Sequence, residues 1–273
     1  LSNPSVPGIL ITGVTGNVGR EIYRILGERG IAARAPVRAE FDFRRPETFA
    51  NAFEGIEKML LVRPPAISDP NVFRPSLEAA KKSGVRHIVF LSLLGAEKNP
   101  FVPHRRLEKL IKEIGFEYTF LRPSFFMQNL STIHAADIRD LAEIIVPAGN
   151  GRTSFIDVRD IAEVAALALS ETGHEDQAYA LTGAEALTYK EVSKIMTEVL
   201  GRPICYRSSS IVRFASVMRS RKQPWALISV MIAIYTITRF GFAGTVTGEV
   251  KRLLGREPIS LEKFVGDYRA VWT

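Results

Sequence analysis

The stretch Gly8-Ile9-Leu10-Ile11-Thr12-Gly13-Val14-Thr15-Gly16-Asn17-Val18-Gly19 decides the fold. Gly8–Thr12 is a short apolar run ending at a glycine, the pattern of a strand buried on both faces of a parallel sheet. Glycines then recur as G-x-x-G-x-x-G. Beyond them Ile22, Ile25 and Leu26 share one face of a helix that runs to about Arg29, where Gly30 stops it. Strand, glycine loop and helix in this order form a phosphate-binding turn. Gly13 permits the tight turn, Gly16 leaves room for a pyrophosphate, and Gly19 lets the helix pack close to the sheet. The first-turn N–H groups and the helix macrodipole favour an anion there. Gly13, Thr15, Gly16, Asn17, Val18 and Gly19 are therefore the candidate phosphate site. The competing reading is a purely structural turn.

Working outward, strands and helices alternate at the pace of βαβ units. Strands are expected at Ile31–Val37, Lys58–Val62, Arg86–Ser92 and Tyr118–Leu121. Helices are expected at Pro46–Phe53, Val72–Lys82 and His104–Ile114. This rhythm predicts an α/β fold with a doubly wound parallel Rossmann sheet and right-handed crossovers. After residue 140 the rhythm loosens. Glu143–Val146 and Thr153–Ile156 read as short strands about a Gly149-Asn150-Gly151 turn, and Ala178–Leu181 as another. Asp160–Ser170 is an amphipathic helix. Thr188–Leu200 is a helix whose start carries a capping-box pattern, Thr188 with Glu191 three residues on. From about Ser208 the signals are helical. The expected organisation is a nucleotide-binding core over residues 1–170, partly interleaved with a smaller, mostly helical C-terminal substrate lobe over 171–273.

Composition narrows the class. The chain has 273 residues, 46% hydrophobic and 24% charged, enough for a sizeable core. Its net charge of +7 comes from scattered Lys and Arg, without the dense run that a nucleic-acid partner demands. One cysteine, Cys205, builds neither a disulfide frame nor a metal site and fits a reducing cytoplasm. The opening Leu-Ser-Asn-Pro has no signal-peptide pattern. Trp225–Ile237 is the most apolar run, too short for a bilayer crossing, and reads as a buried helix, with a substrate-pocket wall or a dimer interface as alternatives. No membrane partner is expected.

An acid at the end of the second strand would bind ribose hydroxyls, whereas an Arg accommodates a 2′-phosphate. Val37 is followed by Arg38, which favours NADP, while Glu40 close by keeps NAD open. Asp42-Phe43, at an expected next strand, is a candidate adenine contact. Phe43 reads equally as core.

At these residues, and at Leu60–Pro65, Gly84–Ser92, Tyr118–Asn129 (with Leu-Arg-Pro-x-Phe-Phe-Met-x-Asn), Ile156–Ala162 and Leu181–Gly183, the sequence resembles the NmrA-like branch of the atypical short-chain dehydrogenase/reductases. The resemblance implies that Val62, Arg63 and Pro64 line the nicotinamide ribose. It implies also that Pro123, Phe125 and Asn129 border the nicotinamide and the substrate cleft. Two departures stand out. The link between Arg38 and Asp42 is shorter than the family's, which predicts an open adenosine side. The superfamily's Tyr-x-x-x-Lys pair is replaced by Pro100 and His104.

The remaining catalytic candidates are Ser92, ending a strand at the cofactor edge, and His104. A serine hydroxyl could hold a substrate carbonyl, and a histidine with an ordinary pKa near 6.5 could donate a proton around neutrality. An acceptor that stabilises charge by itself needs little acid help, since the cofactor carries the hydride chemistry. The expected function is thus an NAD(P)H-dependent reductase acting on a small quinone-like or aromatic acceptor. The alternative is a non-catalytic NAD(P) sensor that binds a regulatory protein partner. A homodimer fits either reading.

Overall fold

The computed structural model describes residues 8–273. Leu1–Pro4, read above for a signal sequence, lie outside the described residues. The chain begins with β1 (Ile9–Ile11), α1 (Asn17–Glu28), β2 (Ala33–Arg34), α2 (Phe49–Phe53), β3 (Lys58–Val62), α3 (Arg74–Lys82), β4 (His87–Leu91), α4 (Pro103–Ile114) and β5 (Glu117–Pro123). It continues through β6 (Phe125–Phe126), α5 (Gln128–Ser131), β7 (Glu143–Val146), β8 (Arg152–Thr153) and β9 (Phe155–Ile156), then α6 (Val158–Ser170) and β10 (Gln177–Leu181). Last come β11 (Leu187–Thr188), α7 (Tyr189–Leu200), β12 (Cys205–Ser208), α8 (Ile211–Ser220), α9 (Trp225–Arg239), α10 (Glu249–Leu254) and α11 (Leu261–Asp267).

These elements form two compact units, residues 8–123 with Val158–Leu181, and Ser124–Asp157 with Thr182–Thr273. The expected core and lobe are interleaved: β10, beyond residue 170, pairs with β5 in the first unit's sheet, and residues 124–157, before it, belong with the second unit.

The first unit is built on a parallel sheet of six strands, ordered β10-β5-β4-β3-β1-β2. Its strands are near-continuous apolar runs because both faces are covered. Alternation sends Leu10, Met59, Leu61, Ile88 and Phe90 into one core with residues of α2, α3 and α4. Ile11, Leu60, Val89 and Leu121, also fully buried, are left for the face covered by α1 and α6, which pack on each other. The order reverses between β1 and β3, so a crevice opens outside their carboxyl ends.

One edge departs from expectation. The strand expected over Ile31–Val37 is only Ala33–Arg34, and no strand forms at Asp42-Phe43. Pro36 has no N–H to continue the ladder. The chain instead turns, with Glu40 and Phe41 N–H both donating to the Val37 carbonyl at 2.9 and 3.0 Å. Phe41 and Phe43 then anchor the segment. Their rings lie 4.8 Å apart, with Phe53 5.4 Å from Phe41 and Phe73 4.6 Å from Phe43. The short link is therefore a packed turn.

The second unit is mostly helical, with three two-stranded ladders: β6 with β9, β7 with β12, and β8 with β11. The turn at Gly149-Asn150-Gly151 forms, Gly151 N–H donating to Ala148 O at 3.1 Å, but the strands on either side of it do not pair with each other. β7 pairs in parallel with β12, a strand the sequence did not announce. Thr188 caps α7 as read, its hydroxyl accepting from Glu191 N–H at 3.2 Å while the Glu191 carboxylate accepts from Thr188 N–H at 2.7 Å. The core gathers Phe155, Tyr189, Phe214, Tyr235, Phe264 and Trp272. α9 departs from the expected buried helix in burying one face only. Ile228, Met231, Tyr235 and Thr238 are buried, but Trp225, Val230 and Ile237 on the other side are half or more exposed.

Candidate nucleotide-binding and active site

The geometry of the glycine loop accounts for Gly13 and Gly19 directly. Gly13 has φ +71°, and a Cβ there would lie 3.0 Å from Val62 Cβ. A Cβ on Gly19 would lie 2.4 Å from the Gly13 carbonyl oxygen, so α1 can approach β1 this closely only with glycine. Gly16 is the N-cap of α1 and offers no side-chain cap, and the first turn holds no acidic residue. The helix N-terminus therefore keeps its positive end and its N–H groups for another partner. Thr12 ties the loop to the neighbouring strand, its hydroxyl donating to Leu60 O and accepting from Val62 N–H, both at 2.9 Å.

A cavity of about 330 Å³ opens at the switch in strand order. Three segments line it: Thr12–Gly16 after β1, residues 36–38 and 41–44 after β2, and Val62–Ile67 after β3. Of the candidate residues, it brings together Gly13, Thr15, Gly16, Arg38, Asp42, Phe43, Val62, Arg63 and Pro64. Asn17, Val18 and Gly19 stand behind the lining as the first turn of α1, with Val18 and Gly19 buried. Pro123 ends β5, its carbonyl accepting from Leu94 N–H at 2.9 Å, and is not in the lining.

In the segment expected to meet adenosine, the charged side chains are placed as follows. Arg38 sits on the rim, its side chain 82% exposed, with Nε donating to Asp42 Oδ2 at 3.1 Å. Glu40, the acid that could have served a ribose, accepts instead from Val37 N–H at 3.0 Å and does not line the cavity. Asp42 is held below its usual range chiefly by the Arg44 backbone N–H, with help from Arg38. Arg44 itself was missed. It lines the cavity, and its guanidinium donates to Ala66 O at 3.3 Å, reaching from the segment after β2 to the one after β3. Only its place two residues past Asp42 could have flagged it.

Arg63 is the most buried of the lining cations. It donates to Ile67 O at 2.6 Å, while its Nε is buried without a partner. Burial alone pushes its pKa down. Arg38, Arg44 and Arg63 against one Asp42 leave the cavity cationic. An open glycine loop, an uncapped helix start and an orphaned guanidinium nitrogen fit a dinucleotide carrying phosphates.

The two catalytic candidates differ from expectation. Ser92 is buried, and its hydroxyl donates to Glu108 Oε1 at 2.8 Å. Glu108 in turn takes both Arg122 Nε and Nη2 at 2.9 Å and Arg105 Nη1 at 3.2 Å. Burial opposes the Glu108 charge, but these donors outweigh it and hold the carboxyl below its usual range. Ser92 therefore locks β4 to a buried ion pair, and its proton is committed to a carboxylate. His104, the second residue of α4, stacks on Phe90 with ring centroids 6.1 Å apart. Burial first, then the Arg63 charge, lower its pKa to about 4. It is a neutral imidazole at pH 7, with Nδ1 buried and unpartnered, rather than the proton donor of ordinary pKa expected above.

Phe125 and Asn129 belong to the second unit. Phe125 packs edge-on against Phe155 at 5.7 Å, and the Asn129 carbonyl accepts from His134 N–H at 3.0 Å.

A doubly wound sheet with a glycine loop and a cationic cavity at its switch point defines a dinucleotide-binding protein of the Rossmann type. Residues 76–251 match the NmrA-like family. The chain is 32% identical over 283 aligned residues to the NAD(P)H azoreductase of Xenophilus azovorans, covering 97% of this chain and 99% of that protein. The chain belongs to the NmrA-like family. Among solved structures it is similar to an NADPH-dependent quinone oxidoreductase of Escherichia coli complexed with NADPH. That match has 25% identity and a TM-score of 0.82, over 95% of this chain and 99% of that one. The triphenylmethane reductase of Citrobacter sp. shares the fold at 23% identity and a TM-score of 0.80, over 96% of this chain and 99% of that one.

Proposed function

We propose that this protein is an NAD(P)H-dependent oxidoreductase that reduces a small quinone-like or aromatic acceptor, with NADP(H) as the preferred cofactor. The observation that carries the reading is the cavity: a glycine loop in which Gly13 and Gly19 leave no room for a side chain and Gly16 leaves its face open, facing three guanidiniums and one carboxylate. Kinship over nearly the whole chain with an NAD(P)H azoreductase supports the acceptor class. The loop from Gly13 to Gly19 holds the pyrophosphate through backbone N–H groups. Arg44 and Arg38 take the adenosine end, Arg44 from within the lining and Arg38 from the rim. Val62, Arg63 and Pro64 border the far ribose.

When bound, the reduced nicotinamide supplies a hydride. The protein's own part is to orient and to exclude water. His104, neutral at pH 7, offers a hydrogen bond to the acceptor or the ribose. Ser92 keeps the Glu108–Arg122 pair in place. No strong acid stands here, which suits an acceptor that delocalises the charge it receives. Phe125 and Asn129 are proposed for the acceptor.

A second reading, a non-catalytic NAD(P) sensor acting on a partner protein, is favoured by one observation. Pro100 and His104 occupy the places of the superfamily's Tyr and Lys, and the Ser92 proton is spent on Glu108. Titration with NADPH and NADH, followed by a panel of quinones and azo dyes, separates the two. Acceptor-dependent NADPH oxidation supports the reductase. Tight binding without turnover of any acceptor supports the sensor, and no binding of either nucleotide overturns both.

A further inference from the structure

The chain's net charge is not spread as evenly as its scattered lysines and arginines suggest. Between Glu198 and Glu249 there is no acidic residue and there are seven basic ones. The whole chain has 36 basic and 29 acidic residues, so the remainder balances and the entire +7 resides in this segment. Arg207 pairs with Glu143, Arg221 with Asp137, and Arg202 is spent on backbone carbonyls of Ile138 and Trp272. Arg213, Arg219, Lys222 and Arg239 are exposed and have no carboxylate within ion-pair distance among the described residues.

The same segment carries an unusual apolar surface. Eight of the twelve large apolar side chains exposed among the described residues fall between Ile211 and Val246. On α9 the exposed positions include Ala226, Val230, Ala233 and Ile237, with Phe240 at the C-cap, at spacings of four and three that place them in one stripe along the helix. Trp225 starts this face at 59% exposure, with the Arg219 guanidinium 5.4 Å from its ring, and Phe240 and Phe242 end it at 69% and 78%. Isolated exposed apolar residues need no explanation, but an aliphatic stripe with aromatic side chains at its ends and a guanidinium over one of them does.

We propose that the outer face of α9, with Arg219 over Trp225 at its start and the other cations of this acid-free segment adding charge, docks this protein on an anionic lipid surface. The helix would lie in the interfacial plane. At 15 residues it spans about 22 Å, short of the ~30 Å hydrocarbon core, so it does not cross. Tryptophan and phenylalanine at the ends with aliphatic residues between them suit the boundary between headgroups and acyl chains, and each cation adds attraction to negative lipid. A second copy of this chain fits the apolar stripe less well, because pairing two such faces sets unpaired cations against each other. The proposal is independent of the reductase reading.

The test is binding of the full chain to phosphatidylcholine vesicles with and without phosphatidylserine, read by sedimentation and by tryptophan fluorescence. Of the two tryptophans, Trp272 is buried at 1% exposure, so an environment-dependent shift reports on Trp225. We expect cosedimentation with the serine-lipid vesicles, a blue shift that is absent in W225F, and weakening with added salt. The double substitution V230E/I237E, at exposed positions, is expected to weaken binding roughly tenfold or more with the melting temperature preserved. No binding to anionic vesicles at low salt overturns the proposal, as does binding that V230E/I237E leaves unchanged. A protein that ignores vesicles but forms a dimer, dissolved by the same substitution, overturns it in favour of a second copy.

Discussion

Replacing Gly16 and Gly19 by alanine, one at a time, separates the loop's binding role from its structural one. A Cβ on Gly16 would meet only the Gly13 carbonyl oxygen, at 3.4 Å, an ordinary contact. The backbone there, at φ −87° and ψ 167°, is one alanine adopts freely. Alanine is a poorer N-cap than glycine but loses less entropy on folding, and the two effects offset to within about 1 kcal/mol. G16A should therefore melt within a few degrees of the parent. Its methyl group would stand where a pyrophosphate must come closest. Loss of one charge-assisted backbone hydrogen bond at about 1.5–3 kcal/mol predicts NADPH binding weaker by roughly 10- to 100-fold. Gly19 differs. A Cβ 2.4 Å from Gly13 O and 2.7 Å from Gly13 C presses on backbone, which cannot step aside like a side-chain tip. G19A should cost about 3 kcal/mol or more, lowering the melting temperature by roughly 6–12 °C, and should weaken binding too. Thermal melts and NADPH titration of both variants decide it. G16A with parental affinity and stability would refute the reasoning, since no phosphate could then approach Gly16 as closely as the loop geometry implies.

Arg44→Ala should raise the dissociation constant for NADPH about tenfold while leaving NADH within about twofold, measured by fluorescence titration. Arg38→Ala, at a more exposed cation, should have a smaller effect. Glu108→Gln leaves Arg122 with a weakened partner in a buried site and should lower the melting temperature by roughly 10 °C. Ser92→Ala, which removes one hydrogen bond to that carboxylate, should cost about 1.5–3 kcal/mol in urea unfolding with turnover reduced less than tenfold; a far larger loss of turnover would make Ser92 catalytic. His87 and His134 are buried and held at pKa about 4, chiefly by burial. Below pH 6.5 the unfolded chain takes up protons that these two refuse until about pH 4. Stability present above pH 6.5 is thus lost across that window, by on the order of 3 kcal/mol for each, and urea unfolding at pH 7.5, 5.5 and 4.5 checks it.

What could be read from the sequence was local. The glycine loop, the strands β3 to β5 and the Thr188–Glu191 capping box each depend on residues within a few positions of one another. The misreadings share a different cause. Glu40 was open to a ribose role until its carboxylate turned out to serve Val37 N–H in a turn that Pro36 enforces. Ser92 looked free because Glu108, 16 residues on, and Arg122, 30 on, are brought to it only by packing of α4 on the sheet. The His104 proton affinity depends on the Arg63 charge, which spacing does not reveal. Arg44 faces the cavity because Phe41 and Phe43 are drawn into the core on either side of Asp42. α9 was misjudged for a complementary reason. Hydropathy says how apolar a helix is but not whether anything covers its second face.

The division of the chain between its two units sets an order on biosynthesis. A ribosome releases Ser124–Asp157 before α6 and β10, so the sheet's sixth strand reaches its place beside β5 only after a segment destined for the other unit has emerged. That segment must then wait for residues beyond Thr182, including β12, the partner of β7. While the emerged chain ends between residues 124 and 176, its sheet has five strands with the outer edge of β5 unpaired, and the emerged part of 124–157 lacks its core. Unpaired edges and uncovered apolar side chains of this kind are what make a nascent intermediate prone to aggregate.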